Sequence, residues 1–402
     1  MRSTIRNLLA ATAASAVLLS AAGSASAEDV KIGILLGFTG PIETLTPGMA
    51  DSAELALKEV NESGQFLEGK TLVPVRGDST CVDSAAATAT AERMVNTDNV
   101  AAIMGADCSG VTTAVANNVA IPNGVLIVSP SATTPALTDI QDNGLFFRTS
   151  PSDARQGKVL TDILIDKDVK RVAVTYTNND YGKGLSDSFA KEYQAAGGQI
   201  TINAPHEDGK GDYSAEVAAL QAAGGDLLVV LGYADQGGVG IIRAAVDSGA
   251  FDRFALGDGM YSDSLLAAIG DDLNGTIGSV PWSEGEGHDA FVKAAEAAGV
   301  DPNGSYRAES YDAAALIALA MQAAGTTERG GKIAERVMEI ANAPGEKILP
   351  GQLGKALELI KAGQDVDYVG ATNVELIGPG EAAGTYREYE VKDGKYETVQ
   401  FR

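Results

Sequence analysis

The sequence predicts an α/β protein built from two doubly wound, parallel-sheet lobes. Three observations carry this. Short apolar runs alternate with stretches of helical spacing, the pattern of parallel strands linked by helices. That alternation runs twice, with a break near residue 149. The chain has 402 residues, about twice an ordinary domain, and its last segment leaves the pattern for a hairpin.

The elements follow in order. Arg2 and Arg6, an apolar or small stretch at 8–22, and Ala25-Ser26-Ala27 form a secretory leader, with cleavage expected after Ala27. An uncleaved N-terminal anchor is the alternative, and the stretch is too short and alanine-rich for a stable span. Residues 30–36 are an apolar run closed by Gly37 and read as a buried strand. Residues 49–61 set Ala50, Ala53, Leu57 and Val60 at helical spacing. Strands follow at 71–75, 100–104 and 124–128, with helices at 84–96 and 109–118. The second run has strands at 171–176, 226–231 and 254–256. Its helices are 185–196, stopped by Gly197 and Gly198, and 238–247. An apolar helix is expected at 311–324. Strands at 388–391 and 396–401 flank a turn at Asp393-Gly394.

The formal net charge of −24 repels nucleic acid and anionic membrane, and favours a soluble monomer. After the leader no run approaches the roughly 20 apolar residues of a membrane helix. In an exported chain the two cysteines, Cys81 and Cys108, are expected to be bridged, with two separate buried thiols as the alternative. Such a bridge stabilises by about 3.6 kcal/mol in the chain-entropy treatment.

Enzyme motifs are missing. The two histidines, His206 and His288, have polar or acidic neighbours and read as surface residues in loops. There is no metal-ligand spacing, phosphate loop, complete G-x-G-x-x-G or nucleophile elbow. Asp208 to Asp212 has two carboxylates, too few for a calcium loop, and reads as a turn. No cofactor or metal is expected.

Strand ends carry the better signal, because open α/β sheets bind ligands at the carboxyl ends of their strands. Ser109 follows one strand; Ser131 and Thr133 follow another. Their hydroxyls and free backbone N–H groups suit a carboxylate, although each residue also suits a helix cap. Asp258, between Gly257 and Gly259, suits an ammonium group or a plain turn. Tyr181 and Tyr233 follow strands of the second run and suit an apolar wall. Trp282 is placed either in a cleft or in a core.

Several segments resemble the leucine/isoleucine/valine-binding proteins of bacterial ABC importers, the type I periplasmic binding proteins. They are Ile32 through Gly37-Phe38-Thr39-Gly40-Pro41, Asn61 to Gln65, Asp78 to Cys81 and Gly105 to Ser109. Val128 to Thr138, Phe147 to Gly157 and Asp180 to Leu185 extend the likeness over nearly all of the chain after the leader. The resemblance implies three hinge crossings near residues 148, 280 and 380. The lobes would be 28–148 with 281–380, and 149–280 with 381–402. It supports the Cys81–Cys108 bridge. It gives Ser109, Ser131 and Thr133 to the carboxylate and part of the ammonium of an amino acid, and Asp258 to the ammonium. Tyr181, Tyr233 and Tyr311 become cleft residues. The implied role is periplasmic capture of an aliphatic, chiefly branched-chain, amino acid for a permease, without catalysis. The same fold serving as a sensor, or holding an amide, urea or aromatic acid, is the alternative. One segment departs from the family: Ile42 to Gly48 is longer than usual and lacks the family's aromatic residue.

Overall fold

The computed structural model describes residues 29–402, so the expected leader lies outside the described residues. The first sheet is built on β1 (Asp29–Leu36), β2 (Thr71–Asp78), β3 (Ala102–Gly105), β4 (Leu126–Ser129) and β5 (Phe146–Arg148). The second is built on β6 (Arg171–Thr177), β7 (Gln199–His206), β8 (Leu227–Leu231), β9 (Phe254–Leu256) and β10 (Ile277–Pro281). The five run parallel in each sheet, in the orders β2-β1-β3-β4-β5 and β7-β6-β8-β9-β10. The two lobes therefore share one doubly wound topology.

Later strands complete the edges. A small parallel pair, β11 (Glu346–Ile348) and β12 (Val366–Tyr368), stands apart. β13 (Leu376–Ile377) and β14 (Glu381–Ala382) extend the first sheet beyond β5. The hairpin β15 (Tyr386–Lys392) and β16 (Lys395–Phe401) extends the second beyond β10, with its turn where Asp393-Gly394 places it. The chain passes between lobes three times, at 149–152, 282–285 and 383–385.

The helices are α1 (Thr46–Ser63), α2 (Ser84–Asn96), α3 (Ser109–Val115), α4 (Asp153–Asp166), α5 (Asp180–Ala195) and α6 (Ser214–Ala223). They continue with α7 (Val239–Ser248), α8 (Asp263–Ile269), α9 (Glu286–Ala298), α10 (Arg307–Ala324), α11 (Gly331–Ala341) and α12 (Leu353–Lys361). α10 is alanine-rich and buried on nearly every side, because α1, α11 and α12 enclose it against the sheet. Among the described residues no helix is long and apolar enough to cross a membrane.

The lobes are pressed together. One apolar cluster runs from Val111 and Val115 on α3 into Leu185 and Phe189 on α5. Gly184 makes the approach possible: a Cβ there would lie 2.6 Å from Thr134 Oγ1 and 3.0 Å from Pro135 Cδ, across the lobe boundary. Cys81 and Cys108 are disulfide-bonded, with Cα atoms 5.1 Å apart.

The histidines are placed differently from the sequence expectation. His206 ends β7 and is 1% exposed, its Nδ1 2.8 Å from Thr175 Oγ1. Its ring meets that of Tyr213, just ahead of α6, with centroids 6.3 Å apart, a contact the polar flanks conceal in the sequence. His288 is half-buried on α9, 5.7 Å from the Trp282 ring. Burial lowers His206 to about 4. The unfolded chain binds a proton near pH 6.5 and the native state does not. The stability from a neutral His206 is thus complete above pH 6.5 and lost as the pH falls towards 4. Urea titrations should show a decline of about 2–3 kcal/mol over that window, which His206→Gln flattens.

Candidate functional site

A doubly wound sheet opens a crevice where strand order reverses, here between β1 and β3 and between β6 and β8. The segments leaving these strand ends converge between the lobes on one small cavity of about 20 Å³. From the first lobe come Ile42, Leu45 and Met49, the Asp107-Cys108-Ser109 turn after β3, Ser131 after β4, and Tyr306 ahead of α10. From the second come Tyr181, Tyr233, Asp258 and Gly259.

The local chain explains the placements. Gly105 ends β3 with φ +125°, and a Cβ there would lie 2.1 Å from the Leu35 carbonyl oxygen. This lets the turn pass close over β1. The Asp107 carboxylate then accepts from Gly37 N–H at 2.6 Å and from the Ser79 hydroxyl at 2.8 Å, tying the ends of β1, β2 and β3 together. Ser109 Oγ accepts from Thr134 N–H at 3.1 Å, and the Ser131 hydroxyl donates to the Asp107 carbonyl at 3.1 Å. Thr133 Oγ1 is buried and lacks a hydrogen-bond partner.

Asp258 is the chemical centre. It is 3% exposed, and both carboxylate oxygens accept tyrosine hydroxyls: Tyr181 at 2.8 Å from its own lobe, and Tyr306 from the opposite lobe. Tyr181 in turn accepts from Gly259 N–H at 3.1 Å and stacks on Tyr233 with centroids 5.0 Å apart. Burial pushes the Asp258 carboxyl upward, opposed by the tyrosine hydrogen bonds.

A second buried acid, Asp153, opens α4 at the first crossing. Its N–H donates to the Thr133 carbonyl at 2.8 Å, yet neither carboxylate oxygen has a well-directed partner. Burial, and then the charge of Asp258, hold this carboxyl well above the usual range. No lysine or arginine lines the cavity. Buried Arg148 is committed to the Ala132 and Thr134 carbonyls, the Thr138 hydroxyl and Glu381. A cavity lined by buried acids, with no cation of its own, suits a small solute carrying an ammonium group.

Of the residues the sequence singled out, Ser109, Ser131, Tyr181, Tyr233 and Asp258 meet at this cavity, and Thr133 stands beside it. Tyr311 is elsewhere. It is wholly buried in α10, its ring 5.5 Å from Phe291 and its hydroxyl on Glu59 of α1. The aromatic residue that this segment sends to the cleft is Tyr306, held ahead of the helix at φ 61°. Tyr311 lies more than a turn further on and faces the core. Tyr306 and Asp153 carry no sequence signal beyond their neighbours; Ser152-Asp153 reads as an ordinary helix start. Trp282 lines a different groove, with the Arg387 guanidinium 5.0 Å from its ring centre. The described residues hold no group of His, Cys, Asp and Glu suited to a metal ion.

Two doubly wound lobes, three crossings and an enclosed inter-lobe cavity define a solute-binding protein of the hinged, two-lobed class. The periplasmic binding protein family matches residues 29–344, and the chain belongs to that family. It is 33% identical to the Leu/Ile/Val-binding protein homolog 1 of Brucella abortus, covering 81% of this chain and 86% of that one. It is 29% identical to the leucine-, isoleucine-, valine-, threonine-, and alanine-binding protein of Pseudomonas aeruginosa, covering 85% and 90%. A leucine binding protein from Thermotoga maritima has the same fold, with a TM-score of 0.78, 24% identity and coverage of 92% and 98%. A solute binding protein from R. palustris, in complex with 4-hydroxybenzoate, is also similar in fold (TM-score 0.74, 19% identity, 93% and 97% covered).

Tyr306→Phe removes one of the two donors to a buried carboxylate. Urea unfolding of the ligand-free variant should show a loss of about 1.5–3 kcal/mol at neutral pH.

Proposed function

We propose that this chain is the periplasmic capture subunit of an ABC importer and closes on an aliphatic α-amino acid, branched-chain residues foremost. The observation that carries the reading is Asp258, buried at a cavity whose facing wall is Ile42, Leu45 and Met49. Its carboxylate takes the ligand's ammonium group. The hydroxyls of Ser109 and Ser131, with Thr133 behind them, take the α-carboxylate, and the apolar wall takes the side chain. The relatives named for leucine, isoleucine and valine support this assignment. Micromolar affinity corresponds to about −8 kcal/mol, within reach of two charge-assisted anchors and a buried aliphatic group.

The protein itself performs no chemistry in this reading. It works outside the inner membrane after losing its leader, as a monomer, and hands its ligand to permease subunits; nucleic acid is no partner. The lobes divide near residues 148, 281 and 380, with β14 carrying the first lobe on to Ala382. An aromatic acid, as in the R. palustris protein, would leave Asp258 buried without a counter-charge.

Thermal unfolding of refolded, ligand-stripped protein against millimolar solutes tests the assignment. Leucine, isoleucine or valine should raise the midpoint, and Asp258→Ala should abolish the shift. A shift with 4-hydroxybenzoate and with no α-amino acid would leave the fold standing and remove the ligand assignment.

A further inference from the structure

The segment between β1 and α1, where the chain departs from the family, does two things at once. It presents Ile42 and Leu45 to the cavity, and it reaches across the cleft mouth to Asp235. Asp235 lies two residues after Tyr233, in the second lobe. Its Oδ2 accepts the Thr44 N–H at 3.0 Å and the Thr44 hydroxyl at 2.8 Å. Its Oδ1 accepts the Ser264 hydroxyl of α8 at 2.5 Å, and its own N–H donates to the Pro41 carbonyl at 3.2 Å. Ser264 fixes the carboxylate within its lobe; the other three bonds cross between lobes. Neither Asp235 nor Thr44 lines the cavity.

We propose that Asp235 is a closure latch: it clasps the 41–45 strap only when the lobes are shut, and so sets how long the ligand is retained without touching it. The proposal rests on the capture function argued above. Opening a hinge at the three crossings separates groups on opposite rims of the mouth, so these bonds belong to the closed state alone. A bond made only in the closed state raises the closed population and the apparent affinity together. It acts on release rather than capture, because the ligand meets the open form and leaves only after reopening. Because the strap also carries Ile42 and Leu45, the latch holds the apolar wall against the ligand's side chain.

The test is stopped-flow binding of L-leucine to the full mature protein, Asp235→Ala, Thr44→Ala and the double variant. Asp235→Ala should raise the dissociation rate about five- to thirty-fold and change the association rate less than about two-fold. Thr44→Ala keeps its backbone donor and should give a smaller rise in the same rate. The double variant should fall well short of the product of the two, since both remove one interaction. Dissociation rates within two-fold of wild type in both single variants, or an effect confined to association, overturn the latch. Ligand-free unfolding midpoints serve as the folding control; exposed Thr44 keeps the test open if Asp235→Ala folds poorly. Failure of the wild type to bind leucine counts against the ligand assignment instead. The same rates are then compared with whichever solute of the panel raises its midpoint.

Discussion

The rest of the site depends on a buried negative charge that the protein does not neutralise. Asp258 is enclosed between the lobes and held by two neutral tyrosine hydroxyls, and its charge adds to burial in raising the carboxyl of nearby Asp153. Removing a carboxylate from water costs several kcal/mol unless a counter-charge or a full set of hydrogen bonds replaces the solvent. The tyrosines offset part of that cost, and proton uptake offsets more in the empty closed form. A ligand that brings an ammonium group offsets it directly. Closure and ligand chemistry are therefore linked: the shut form is poor on its own and good around a cation.

The topology explains why this charge can be built at all. Each lobe supplies a crevice at its strand-order reversal, and neither crevice alone encloses a solute. Placed face to face, they bring hydroxyl-bearing turns from β3 and β4 against Tyr181, Tyr233 and Asp258. The turn after β3 is fixed from three directions: Gly105 lets it pass over β1, Asp107 ties it to β1 and β2, and Cys108 bonds it to Cys81. Tyr306 bridges from this lobe to Asp258 of the other.

Much of this was legible in the sequence, and the division has a physical reason. Strand ends are local: an apolar run followed by Gly-Asp-Gly or Ser-Pro-Ser announces a turn that faces a crevice, so Ser109, Ser131 and Asp258 could be placed at its lining. The β15–β16 hairpin is local too, set by Asp393-Gly394. Tyr306 and Asp153 are not local. Their roles exist only because the crossings return the chain to the cleft, and nothing beside them in sequence records that return. Tyr311 went astray for the related reason that a tyrosine in an apolar helix looks the same whether its face meets a cleft or a core. β5, three residues long, and the two-residue strands β13 and β14 are too short for any period to register.

The acidic composition illustrates how little a count says about a site. Of 54 acidic residues, most are exposed, and their ion pairs with lysine and arginine are surface pairs worth a few tenths of a kcal/mol each. They keep the protein dispersed and do not choose a ligand. A few carboxylates are buried, and they differ in what surrounds them. Asp312 accepts four donors, from Tyr368, Ala371 and Thr372, and only staples one lobe. Asp107 accepts two and shapes a turn. Asp258 also accepts two, but its donors are tyrosine hydroxyls from both lobes beside a cavity with no lysine or arginine in its lining, and Asp153 near it has neither oxygen hydrogen-bonded. What sets Asp258 apart from the structural acids is its place between the lobes, not the number of its donors.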